Sequence, residues 1–342
     1  MGKIGTLCRR IFGGSFKRMN KQINIIHKET GKNRAGLFLD MMWCIFRYSV
    51  GYQDYRVFGF CNIKGKNRKS FMTMNDNLFI SHKLNDKEYF HYFDNKFEFN
   101  EQFRDYIGRD FINICEVGAK GLEKFCIGKK TVFAKALNSF GGEGITREVI
   151  DDSTDFNALY KKLTGNNQFL VEEEIKQNEK MSSLSPSSIN TLRIVTVNYN
   201  GSVHLMYTLM RIGNGKTCVD NICSGGMYVR VGDDGVVHKP AFCEATGEYY
   251  EAHPVTGTRF CGFEVPMFNE AVEICKKAAL KYPQVGYVGW DVAITPEKPV
   301  IVEGNTLPGY DMVQNSGHID NKIGILPKFR EVLGDDFFEG QR

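Results

Sequence analysis

Two short apolar runs late in the chain, Tyr287-Val288-Gly289-Trp290-Asp291-Val292-Ala293 and Ile301-Val302-Glu303-Gly304-Asn305, each carry a carboxylate among residues that otherwise belong in a core. Both read as strands, and the turn Thr295-Pro296-Glu297-Lys298-Pro299 joins them. A carboxylate in such a strand is costly to bury unless it is paired or bound to a cation. Antiparallel pairing across the turn sets Asp291 beside Glu303, and Asn305 shares a face with Glu303 because residues two apart on a strand point the same way. Magnesium takes hard oxygen ligands, commonly one or two carboxylates together with substrate phosphates. Asp291, Glu303 and Asn305 are therefore candidate metal ligands; a pair of exposed strand-end acids is the alternative these residues leave open.

A second constellation lies upstream. Thr131-Val132-Phe133-Ala134-Lys135 reads as a strand ending on a lysine, and the glycine-rich turn Ser139-Phe140-Gly141-Gly142-Glu143-Gly144 follows it. A lysine placed so can neutralise a nucleotide phosphate while loop N–H groups close over the others. Neither a Walker A sequence nor the Rossmann glycine pattern is present, and a plain hairpin also explains the glycines.

Around these motifs, residues 155 to 164 suit a helix and Gln168 to Ile175 a buried strand ending in acids. Strand-like runs follow at 191 to 199, 203 to 212, 226 to 231 and 236 to 239, then a helix at about 267 to 281. Strands that neighbour one another in sequence pair antiparallel, so the class is α+β. Residues 1 to about 95 read as mainly helical, with a polar break at Lys64-Gly65-Lys66-Asn67-Arg68-Lys69.

At 342 residues, more than one packed unit is expected. No apolar run approaches the roughly 20 residues that span a bilayer. Ten cysteines without a C-x-x-C pair, Cys218 and Cys223 being the nearest to one another, read as small buried apolar residues in a reducing, cytoplasmic setting. The formal charge of +4 is uneven: residues 1–34 hold nine Lys or Arg against Glu29 alone, and the remainder is net −4, with 35 basic against 39 acidic residues. Interleaved with Ile4, Leu7, Ile11, Phe12, Phe16, Met19, Ile23 and Ile26, this basic segment suits peripheral contact with an anionic inner membrane face, or a helix packed on the body with a solvated basic side. The start Met1-Gly2-Lys3-Ile4-Gly5-Thr6 also fits the myristoylation pattern. No nucleic-acid partner is expected, because the rest of the chain is slightly acidic and lacks a zinc-finger or RNP pattern.

The phosphate lysine, the glycine loop, the acidic strand end Glu172-Glu173-Glu174-Ile175 and a late Asp followed twelve residues on by Glu-x-Asn occur in the order used by ATP-grasp enzymes. More closely, Pro186-Ser187-Ser188-Ile189-Asn190-Thr191-Leu192-Arg193-Ile194-Val195-Thr196, the run around Asp291, and Glu303-Gly304-Asn305-Thr306-Leu307-Pro308-Gly309 resemble the sugar-transfer associated ATP-grasp family over about residues 90 to 320. The resemblance implies two α+β lobes gripping ATP, a small lobe at 96–176 and a large lobe at 177–342, preceded by the helical region 1–95. It implies ATP with two magnesium ions as cofactors. By position, Lys135 corresponds to the phosphate lysine and Lys96 to a first ATP lysine 39 residues earlier, with Ser139, Gly141, Gly142 and Gly144 forming the loop. Glu172, Glu174 and Ile175 correspond to the hinge that hydrogen-bonds adenine, Glu179 to a ribose-binding acid, and Asp291, Glu303 and Asn305 to the metal ligands, Glu303 bridging both ions. Glu143 departs from the family, which commonly has a basic residue there.

The implied reaction is carboxylate–amine ligation through an acyl phosphate, in which Arg193 and Arg211 are candidates for phosphate, carboxylate or oxyanion contact, a structural ion pair being the alternative for either. The loop Asp220-Asn221-Ile222-Cys223-Ser224-Gly225-Gly226 is a candidate on the substrate side. The family's name implies a small-molecule carboxylate and amine, sugar-linked and part of a cell-surface polysaccharide. A kinase acting on a hydroxyl, or a non-catalytic ATP-binding component of a glycan assembly complex, are the rival expectations.

Overall fold

The structure is a computed structural model that describes residues 16–138, 144–215 and 225–340. The loop residues Ser139, Gly141, Gly142 and Glu143, and Asp220 to Ser224 of the second loop, lie outside the described residues. Of the described residues, 16–79 and 309–340 form one compact unit and 80–308 another. Residues 309–340 group with residues 16–79 rather than with 80–308. The reason is local bonding: the Gln314 amide accepts from Met72 N at 2.8 Å and donates to Met72 O at 3.0 Å, and Tyr310 donates its hydroxyl to Asp54 at 2.8 Å.

The first unit is helical. Helices α1 (Phe16–Thr30), α2 (Arg34–Tyr48) and α3 (Tyr52–Val57) pack together. Asn33 starts α2 by accepting from Ala35 N and Gly36 N at 2.8 and 3.2 Å, satisfying donors the first turn leaves open. The buried stripe of α1 is Met19, Ile23 and Ile26, and that of α2 is Leu37, Met41 and Cys44, each spaced three or four residues apart as one helix face requires. The apolar side of α1 is therefore core, and its basic side is solvated.

The second unit holds two antiparallel sheets. Strands β1 (Phe111–Asn113), β2 (Thr131–Lys135), β3 (Ile145–Val149) and β4 (Leu170–Glu173) pair in the order β1-β4-β2-β3. Between them in sequence run the helix Ile114–Cys126 and the helix Phe156–Gly165, whose Leu122, Cys126, Leu159 and Leu163 bury Val132, Ala134 and Val171 of the sheet. The larger sheet has the order β11-β10-β5-β6-β7-β8-β9. Its strands are β5 (Leu192–Tyr199), β6 (Ser202–Ile212), β7 (Met227–Val231), β8 (Ala241–Cys243), β9 (Glu248–Tyr250), β10 (Tyr287–Ile294) and β11 (Pro299–Asn305). Residues 236–239 are not a strand: Val236 and Val237 form only isolated bridges, to Glu264 and Val231. The seven described cysteines are free, and five of them are buried.

Strand β10 is buried at every position, flanked on its two sides by β5 and β11. Phe93 and Phe103 pack on Trp290, Phe103 edge-on to it at 5.5 Å between ring centroids, and Phe99 packs on both phenylalanines. Gly304 makes room for them, since a Cβ there would stand 3.0 Å from both the Phe93 and Phe99 rings. Phe103→Ala should lower the unfolding free energy by about 3–5 kcal/mol, the usual cost of emptying a buried aromatic site; a loss below about 1 kcal/mol in urea titration would show that this cluster does not hold the core together.

Candidate functional site

The two sheets of the second unit enclose a cavity of about 640 Å³. Lys135 and Glu172 line it from the small sheet, Asp291, Glu303, Asn305 and Arg211 from the large one, and Lys96 from the helix α4 (Lys96–Gln102). Residues as far apart in sequence as Lys96 and Asn305, 209 positions, are thereby gathered around one cavity.

The lysine end of the cavity is fixed by a buried carboxylate. Lys135, the last residue of β2, ion-pairs with Glu172 on the adjacent β4, which is 2% exposed. Glu172 also accepts from Arg109 Nη2 at 2.9 Å and from the Asn100 amide. Burial alone would raise its pKa, but the charges of Arg109 and Lys135 outweigh burial and hold the carboxyl well below its ordinary range. Lys96 is placed by the Asn95 cap, whose side chain accepts from Phe97 N and Glu98 N, and by its own N–H bonding Leu137 O at 3.0 Å just beyond β2. Burial lowers its pKa, against the pull of the nearby Glu303.

The acidic end follows from register. Asp291 pairs directly with Glu303 across β10–β11, beside a bulge between Asp291 and Val292, and with Arg193 across β10–β5. The Asp291 carboxylate is gripped by Arg193 through both Nε and Nη2, the latter at 2.9 Å, and by Arg211 Nη1 at 2.9 Å. Burial would raise Asp291, yet the two guanidinium charges bring it down to about 2. Glu303 lies on its other side, pushed up by burial and by the charge of Asp291. The Asn305 amide lies 3.4 Å from Glu303 Oε1, on the shared face that strand alternation dictates.

A cation fits this end. Two carboxylates in contact repel unless a proton or a metal lies between them, and burial together with the charge of Asp291 raises Glu303 accordingly. Among the described residues no group of three or more His, Cys, Asp or Glu side chains is built to hold a metal. Asp291, Glu303 and the Asn305 amide oxygen are the sparse oxygen set that magnesium accepts when phosphates complete its shell.

Other expected residues fall differently. Glu174 and Ile175 line the cavity just past the last β4 ladder pair, with Glu174 paired to Arg147 at 3.4 Å. Glu179 begins a short helix, Glu179–Ser182, exposed and off the cavity wall. Arg193 stands behind Asp291 and is not on the wall. Gly144, at φ +68°, offers its carbonyl to Ala136 N at 3.1 Å and to the Gln168 amide at 3.1 Å, closing the base of the loop.

Arg109 carries no motif, yet it joins the two sheets. Its guanidinium donates to Glu172 on β4 and, at 3.0 and 3.2 Å, to the carbonyls of Ile301 and Val302 on β11, immediately before Glu303. Gly108 delivers it: φ is +58°, and a Cβ there would lie 2.5 Å from Val300 Cγ1. Ser188, 6% exposed on the cavity wall, has a hydroxyl with no partner among the described residues.

The sugar-transfer associated ATP-grasp family matches residues 75–332 of the chain. A search of curated proteins finds no match. Among solved structures, D-alanyl-alanine synthetase A from Vibrio cholerae O1 biovar eltor str. N16961 is similar at 12% identity and TM-score 0.40, over 72% of this chain and 63% of that one. The ATP-grasp ligase PsnB with its minimal precursor is similar at 12% and 0.41 over 73% and 62%, and an L-amino acid ligase from Bacillus licheniformis at 12% and 0.39 over 65% and 42%. The chain spans less than two thirds of the length of each, and the family assignment rests on the family match rather than on these distant likenesses.

Arg109→Met should cost about 3–5 kcal/mol of stability, because it strands Glu172 as a buried charge with fewer partners. Arg109→Met with Glu172→Gln should recover part of that loss in the same urea titration. A double variant no more stable than the single one would contradict the pairing.

Proposed function

The chain belongs to the sugar-transfer associated ATP-grasp family, and from that premise we propose that it is an ADP-forming ligase joining a carboxylate to an amine. The observation that carries this reading is the opposition, in one cavity, of the lysines Lys96 and Lys135 to the carboxylate pair Asp291–Glu303. Such a layout suits a triphosphate whose charge is met from both ends.

In this reading residues 96–176 hold the nucleotide and the large sheet beyond residue 177 holds the metal and substrate. Lys135, fixed by Glu172, and Lys96 meet the phosphates, while the chain at Glu174–Ile175 borders the adenine. Because Glu172 is occupied by Arg109, Lys135 and Asn100, its part is to position Lys135. Magnesium held by Asp291, Glu303 and Asn305, with Glu303 between two ions, would offset the charge on the triphosphate. Arg193, bound through two nitrogens to Asp291, positions that carboxylate, and Arg211, which lines the cavity, faces the substrate. The γ-phosphoryl group passes to a substrate carboxylate, ADP leaves, and an amine displaces phosphate from the acyl phosphate to give the amide. The family's name supports a sugar-linked acid or amine, in the modification of a cell-surface polysaccharide or sugar conjugate.

The test is ATP consumption with magnesium against a panel of amino acids and uronic acids in the presence of hydroxylamine, with products identified by mass spectrometry. ADP with a trapped hydroxamate is expected, and Glu303→Gln should abolish both while its circular dichroism matches the parent. ADP with a stable phosphorylated alcohol would move the assignment to a kinase; no turnover with any acid would count against catalysis.

A further inference from the structure

Helix α2 has more apolar surface than its unit uses. Leu37, Met41 and Cys44 already form its buried stripe, yet Leu39, Trp43 and Phe46 are 67%, 58% and 53% exposed. At 100° per residue these three fall together on the side opposite the buried stripe. A continuous exposed stripe of one aliphatic and two aromatic side chains is a contact surface rather than the scattered exposure of ordinary proteins.

The charge around it selects the partner. The sequence of this unit, residues 1–79 and 309–342, holds 19 Lys and Arg against 10 Asp and Glu, a formal +9, whereas residues 80–308 hold 25 against 30. The acids between residues 16 and 79 are engaged internally: Glu29 with Arg56, Asp40 with Arg68, Asp54 with Tyr310, and Asp76 with Thr73. The outward charge of the helices is thus cationic, from exposed Arg34 and Arg47 near the ends of α2 and from Lys17, Lys21 and Lys28 on the solvent side of α1. Among the described residues no helix is long and apolar enough to cross a membrane.

We propose that the Leu39–Trp43–Phe46 face of α2 seats in the headgroup layer of an anionic lipid surface, with the basic residues of α1 and α2 meeting its charge. Tryptophan and phenylalanine bury their rings at that boundary, and cations above them hold a helix parallel to the plane. The contact is on α2; the apolar side of α1 is already core. This assignment does not depend on the ligase reading and stands if that reading fails.

The full chain supplies its own probe, because Trp43 is exposed while Trp290, the other tryptophan, is 0% exposed. The experiment adds vesicles of phosphatidylglycerol and phosphatidylcholine, or of phosphatidylcholine alone, and follows sedimentation and tryptophan emission. The protein should sediment with the anionic vesicles with a blue-shifted emission, and weakly with the neutral ones. Leu39→Ser with Phe46→Ser should lower partitioning by about tenfold or more while the unfolding midpoint is kept, since both side chains lie outside the core. Trp43→Phe should sediment without the spectral shift. Absence of sedimentation overturns the proposal, as does sedimentation with Trp43 unshifted, which would place the contact elsewhere in the basic N-terminus. Indifference to lipid together with a dimer that the double substitution dissociates would assign the stripe to a second copy of the chain.

Discussion

A carboxylate in the middle of a buried strand has to be matched by cations, and Asp291 is matched by two. Arg193 on β5 and Arg211 on β6 grip it from one side, leaving Glu303 on β11 against the other. The guanidinium pair keeps Asp291 ionised, at a pKa of about 2, and burial together with the ionised Asp291 pushes Glu303 up. One wall of the cavity is therefore an acidic pair, held rigid by its place in the sheet. Replacing the network with apolar groups would give an ordinary core and remove the chemistry.

The same logic fixes the opposite wall. Glu172 is sealed between Arg109, Lys135 and Asn100, so the ammonium of Lys135 is oriented rather than free to sweep through solvent. Arg109 then carries the constraint across the cavity, by bonding the carbonyls of Ile301 and Val302 one step before Glu303. Two glycines permit this: Gly108 lets the chain pass against Val300, and Gly304 lets the Phe93 and Phe99 rings lie against β11. The distance between the lysines and the acids is thus set by packing and buried bonds, which is how a preorganised charge site is made.

Local pattern carried much of this in the sequence. Alternation and a tight turn were enough to bring Asp291 opposite Glu303 and Asn305 onto the same face, because strand geometry leaves few options. The strand Thr131–Lys135 and the helix near 268–281 were legible for the same reason. Arg109 was not, since its partners lie 63 and 192 residues away and a lone arginine before a short strand has no periodicity to betray it. Strands β8 and β9, three residues each, are too short to show alternation, and Val236 and Val237 looked like strand without a neighbouring ladder to join. The grouping of residues 309–340 with the first helices depends on Gln314 meeting Met72, a contact no local pattern encodes. The apolar stripe of α1 was visible as a stripe, but whether it faces core or solvent is decided by tertiary packing alone.

The proposed nucleotide site has the Asp291–Glu303 pair as its metal end and Lys96 and Lys135 as its phosphate end. Calorimetric titration of ADP into the protein, with magnesium and with excess chelator, measures this without any knowledge of the carboxylate or the amine. Magnesium should tighten ADP binding by about tenfold or more, a coupling of about 1.4 kcal/mol, and Glu303→Gln should remove the difference while leaving metal-free binding in place. Binding of equal strength with and without magnesium, or a magnesium effect that survives Glu303→Gln, would contradict it.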